Sequence, residues 1–284
     1  MAKGNLFLGT AARSVGDVVM YRREGAQVSR VRVRKIANPK TDAQCLQRAF
    51  MSACVKFYQP LANVLDRSWQ GKSRAKSYAA FLKANAPIVR AEGIYIPKNS
   101  GFAPIPVKLS EGTITPLTYT TDGTGLMLTL AGITSETSNP TTIGALSTIF
   151  VGAGYKSGDV VTIIVSSQVS GKNLPPISAQ FIVDTTSTET IANAMPVIAT
   201  IEVVGANGSL IITLDNQPVI GGAVIIARNV DGVWQRSTQF YDVEGSVISE
   251  MKNDAAKTAC IESYKGAAAS DNPLVYLDGD ELTD

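Results

Sequence analysis

The sequence predicts an α+β protein in which a small basic module, a β-hairpin plus two helices, leads into antiparallel β-sandwich structure. Three observations predict it. Charge is divided along the chain: residues 1–108 hold 19 of the 26 Lys+Arg and only five of the 24 Asp+Glu, a net +14, and the remainder is net −12. Apolar residues keep a period of two near residue 30, take helical spacing from residue 46, and recur in strand-length runs beyond residue 113. Finally, 24 Gly and 13 Pro punctuate those runs with turn signals.

Residues 16–35 read as the hairpin. Val18-Val19-Met20-Tyr21 is strand-like, Arg23-Glu24-Gly25-Ala26 supplies a turn, and residues 27–35 alternate. A side-chain period of two puts Arg30, Arg32 and Arg34 on one face, about 6.6–6.8 Å apart, with Val31 and Val33 on the other. No acid lies between Gln27 and Lys40, so these like charges repel unless an anion or an acidic surface meets them. A simply solvated face is the alternative. Together with Arg22, Arg23, Lys35, Lys40 and Arg48 they form the candidate nucleic-acid-binding set.

Asn38-Pro39-Lys40 then breaks the strand, and Thr41-Asp42-Ala43-Gln44 has the form of a helix capping box. Leu46, Phe50, Ala53 and Phe57 give an apolar stripe expected to end at Pro60. A second helix is expected over about 73–85, closed by Pro87. Between them, Gly71-Lys72-Ser73 is no phosphate-binding loop, because Asp66 stands where its first glycine belongs and no hydrophobic strand precedes it. Trp69, flanked by Lys and Arg, would suit base stacking, but core packing is the favoured reading.

The basic module is thus assigned to residues 1–97, and residues 98–108, with Pro104, Pro106 and Gly101, to a linker. Strands are expected at 113–119, 126–130, 160–166, 179–183, 197–203, 210–214 and 223–227, separated by Asp122-Gly123, Ser157-Gly158, Asn207-Gly208 and Asp231-Gly232. That spacing over residues 109–249 predicts a sandwich, immunoglobulin-like in broad architecture, either single or as two subdomains with a break near 185–194. Residues 250–284 read as a helix and an acidic tail.

The chain has no histidine, which removes His-dependent nucleophile systems and most zinc and iron catalysis. Cys45, Cys54 and Cys260 are odd in number and lack C-x-x-C spacing, so they read as buried thiols in a reducing compartment. The opening residues carry an apolar patch too short for a signal peptide, and no apolar run approaches the roughly 18 residues of a membrane helix. A soluble protein of a virion or host cytoplasm, without cofactor or metal, is expected.

Gly4-Asn5, Val15-Gly16-Asp17-Val18-Val19 and, more specifically, Pro39-Lys40-Thr41 followed by Gln44, Gln47, Arg48 and Phe50 resemble an uncharacterised domain-of-unknown-function family of gut bacterial and phage genomes. Residues 222–228 and Trp234-Gln235-Arg236-Ser237 are similar to segments of the same proteins. The resemblance implies a basic head followed by β-rich domains and a phage or mobile-element context; it brings no activity and no catalytic residues. Charge and context together give the expectation of a non-enzymatic structural protein. Its basic module would bind nucleic-acid phosphates without regard to sequence, and its β-domain would make subunit contacts in a virion or nucleoprotein assembly. Two alternatives stay open: head-to-tail docking of the basic head on a neighbour's acidic body, and a sandwich module that binds glycans or host proteins.

Overall fold

A computed structural model of the chain describes residues 13–15, 18–23, 26–31, 40–66, 68–98, 100–133, 137–169, 172–204, 209–215 and 217–266. Its contacts divide into two units, Met1–Lys40 and Thr41–Asp284. The first is built on a three-stranded antiparallel sheet in the order β1 (Arg13–Val15), β2 (Val18–Arg23), β3 (Ala26–Val31). Val18 pairs with Val31 and Arg23 with Ala26, which is the expected hairpin. At its far end Ser29, Arg30 and Val31 are all exposed, Val31 by 74%, so alternation there does not mark a buried face.

The second unit opens with α1 (Asp42–Leu65) and α2 (Arg74–Glu92). Thr41 caps α1 as expected, its hydroxyl accepting from the Gln44 amide. Pro60 does not end the helix. A proline inside a helix costs about 3 kcal/mol through its missing donor and ring clash, yet Leu61 and Leu65 continue the buried face of Phe50, Cys54 and Phe57, and packing outweighs that cost. Pro87 is overridden in the same way: Val89 beyond it is fully buried, and α2 stops only at Gly93, whose φ of 65° is left-handed and whose N–H donates to the Arg90 carbonyl.

The chain continues through β4 (Lys108–Ser110), β5 (Thr118–Thr121), β6 (Leu126–Thr129), α3 (Ile143–Gly152), β7 (Val160–Val169), β8 (Lys172–Asn173), β9 (Ile177–Ile182) and α4 (Ile191–Ala194). It finishes with β10 (Thr200–Val204), β11 (Ser209–Thr213), β12 (Val219–Val230), β13 (Val233–Arg236), β14 (Gln239–Phe240), β15 (Asp242–Val243), α5 (Gly245–Met251) and α6 (Asp254–Lys265). The α+β class, and the order of hairpin, two helices and β-rich region, are those the sequence predicts. Asp231-Gly232 forms the expected two-residue turn of β12 and β13, with φ of 51° and 79°. Asn207-Gly208 lies outside the described residues, although β10 and β11 pair on either side of it. Of residues 113–119 only the last two enter a strand, and α3 was not foreseen.

One sheet has the order β10-β11-β6-β5; the other runs β13-β12-β7, with β9 and β8 pairing β7 and β15 pairing β12. Their facing side chains, among them Leu126, Leu128, Val161, Ile163, Leu210, Ile212, Val224 and Ile226, form one core that α3 closes with Phe150. This arrangement has an internal symmetry. Exchanging β5, β6, β7 and β9 with β10, β11, β12 and β13 leaves both sheet orders unchanged, because β6 pairs with β11 and β7 with β12, each antiparallel. The break expected near 185–194 is the passage from one half to the other, but the halves interleave around a shared core instead of forming two subdomains.

The second face of the six-stranded sheet is covered by helices. Phe57, Leu61, Phe81 and Met251 pack with Ile164, Ala223, Ile225 and Tyr241 in a separate core, so β7 and β12 are buried on both faces. The helices assigned by sequence to the basic module are therefore a third layer on the sandwich. Residues 98–108 are no free linker either. Phe102, Ile105 and Val107 are buried, Asn85 holds both the Lys108 amide and carbonyl, and the Lys56 ammonium donates to the carbonyls of Lys98 and Ser100. Pro and Gly mark this stretch as irregular without marking it as exposed. Two glycines make the close layering possible: a Cβ on Gly221 would lie 2.6 Å from the Tyr241 ring, and one on Gly222 would lie 3.0 Å from Leu126 on the opposite face.

Candidate nucleic-acid interface and a trough on the sheet face

The sequence-predicted binding residues fall in both units. Arg22, Arg23 and Arg30 are in paired strands of the first, Arg22 opposite Gln27, Arg23 opposite Ala26 and Arg30 opposite Val19. Arg30 is exposed, as is Lys40. Arg32, Arg34 and Lys35 lie outside the described residues. Arg48 belongs to the second unit, exposed on α1. Residues 1–40 carry nine Lys+Arg against two Asp+Glu, a net +7, and the longer second unit is net −5.

A further basic surface lies on α2. Lys76, Lys83 and Arg90 recur every seven residues on its exposed side, and the Arg90 guanidinium donates to the Gln47 side chain beside Arg48. The sequence signal for this stripe is the spacing itself. It stays hidden if the helix is ended at Asn85, because Arg90 then drops out of register. Trp69, by contrast, is buried, with the Lys108 ammonium 5.6 Å from its ring centre, so it offers no stacking surface.

A trough of about 460 Å³ lies on the outer face of the six-stranded sheet, where the helical layer stops short. Thr162, Ile225 and Gln180 come from adjacent strands, since Thr162 pairs with both Ile225 and Gln180. The end of α1 contributes Asn63 and the capping residue Asp66, followed by Ser68, whose hydroxyl donates to the Val64 carbonyl. Trp234 and Arg236, two residues apart on β13, close the opposite side with the guanidinium 5.1 Å from the indole centre. In the sequence Trp234 stands out only as part of the segment Trp234-Gln235-Arg236-Ser237 that carries the family resemblance. Its signal was the alternation of Trp234 and Arg236 directly after an Asp-Gly turn.

Three residues beyond Ile225 on β12, Arg228 reaches the buried Asp159 carboxylate with two hydrogen bonds of 2.6 Å, and Asp159 also accepts from the Lys156 amide. This ion pair ties the start of β7 to β12 and is structural. Among the described residues no three His, Cys, Asp or Glu side chains gather as a metal site, and no helix is long and apolar enough to cross a membrane.

The three cysteines are buried thiols, and burial pushes those of Cys54 and Cys260 up to about 11. Thiolate is the reactive form, so at pH 8 it is only about one part in a thousand at these two positions. The folded protein is therefore expected to stay unreactive towards a disulfide reagent over minutes, and to titrate three thiols at once in denaturant. Rapid reaction of any thiol in the folded state would contradict the packing of α1 and α6.

The fold thus defines a class: an antiparallel sandwich with a helical third layer, preceded by a short, strongly basic sheet. Residues 9–95 match a family of unknown function, DUF6266. That match takes in the basic sheet and both long helices and stops two residues before Pro97, so it crosses the division between the two units. No curated protein and no solved structure matches the chain.

Proposed function

We propose that the chain is a non-enzymatic structural protein, encoded by a phage or mobile element, whose basic N-terminal unit binds nucleic-acid phosphates without sequence preference while the sandwich makes subunit contacts in a virion or nucleoprotein assembly. The observation that carries this reading is the concentration of nine cations and two acids in a 40-residue unit with its own contacts. Lys and Arg in such density gain affinity by releasing counterions from the nucleic acid. The stripe of Lys76, Lys83 and Arg90 adds basic surface of the same kind on the second unit.

The test is binding of nucleic-acid-free protein to unrelated duplexes as a function of salt. Affinity should fall steeply with salt for every sequence. Replacing Arg30, Arg32 and Arg34 together by alanine should reduce the slope of log K against log salt by about 2.7, or 0.9 for each lost phosphate contact. An unchanged slope, or no binding at low salt, would overturn the reading. A second reading is favoured by the net −12 of residues 109–284, on which a neighbour's basic unit would dock. It predicts salt-sensitive, ordered oligomers of the purified protein in the absence of nucleic acid.

A further inference from the structure

We propose that the trough between α1 and β13 binds a short neutral saccharide. Its volume of about 460 Å³ lies within the roughly 300–1,000 Å³ typical of small-molecule sites. Asn63 and Gln180 present amides, each with a paired donor and acceptor, and Thr162 adds a hydroxyl. Such groups match the vicinal hydroxyls of a sugar ring, which donate and accept side by side.

Trp234 supplies the other half of the recognition. Its half-buried indole stands at the edge of the trough beside the Arg236 guanidinium, and Ile225 and Val160 give a small apolar floor. A pyranose has apolar C–H faces and a polar rim, and an aromatic plane beside amides is complementary to both.

Charge selects against the obvious competitor, a nucleic-acid phosphate. Asp66 and Arg236 cancel in the lining, and the C-terminal end of the 24-residue α1, where the helix dipole is negative, adjoins it. Neither favours an anion. The site is independent of the basic unit and of its nucleic-acid reading.

Titration of the full chain with a panel of neutral mono- and disaccharides, followed by tryptophan fluorescence and calorimetry, tests this. The chain has two tryptophans, and Trp69 is buried in the helical core, so a ligand in the trough reports through Trp234. At least one sugar should give a saturable response at millimolar concentration that persists at high salt and in the triple Arg30, Arg32 and Arg34 variant. Gln180→Ala, at an exposed edge-strand position, should weaken it about tenfold, the loss of one or two hydrogen bonds. Trp234→Phe should abolish the fluorescence response while leaving the melting temperature nearly unchanged. The proposal is overturned if no sugar binds by calorimetry, if the response survives Trp234→Phe, or if a DNA oligonucleotide gives the same response and salt removes it.

Discussion

Phe57→Ala is expected to lower the unfolding free energy of the second unit by about 3–5 kcal/mol, the range for truncating a fully buried phenylalanine. Phe57 is 0% exposed and stands at the seam between the helical layer and the sheet, its ring edge-on to Tyr241 at 4.8 Å and tilted against Phe102 at 5.7 Å. Three chain segments far apart in sequence meet on this one ring. Its neighbour Tyr241, packed closely against Gly221, cannot close the void left by alanine, so the full cavity cost applies. Urea unfolding followed by circular dichroism measures the effect. A loss below about 1 kcal/mol would mean that the helices are not anchored to the sheet at this point.

Asp159→Ala is expected to cost about 3 kcal/mol, the low end for removing one partner of a buried ion pair. The Asp159 side chain is 1% exposed, but that of Arg228 is 21% exposed, so the orphaned guanidinium regains some water. The Lys156 amide loses its acceptor as well. Combining Asp159→Leu with Arg228→Met should cost distinctly less than Asp159→Ala alone, because no uncompensated charge is left behind. Losses that simply add in a double-mutant cycle would show that the two side chains do not depend on each other.

What the sequence made legible follows from which forces are local. The hairpin of β2 and β3, the Thr41 cap and the Asp231-Gly232 turn were all readable, since each is decided by a few adjacent residues. The helix ends at Pro60 and Pro87 were misplaced because a local penalty was outweighed by contacts with distant strands. In α3, the run Ile143-Gly144-Ala145-Leu146 has no polar stripe to betray a helix, as it is packed into the sandwich core. Residues 98–108 carry a linker's composition, and only the partners Asn85 and Lys56, from elements before them, reveal that they are core. The candidate site divides in the same way. A cluster of arginines at alternate positions can be seen in the sequence, whereas a trough assembled from α1, β7, β9, β12 and β13 exists only once the layers are stacked.

The interleaved halves of the sandwich also set a timetable. Met127 waits for Ile211, 84 residues later, and Ile163 waits for Val224, 61 residues later. At a synthesis rate of about 5–20 residues per second, β6 has no partner on that side for about 4–17 s after it is made. During that interval its Leu126 and Leu128, fully buried in the finished protein, have no second half to face. A nascent chain of this design is most vulnerable just after β9, when half a sandwich has been made and every central strand still presents an open edge.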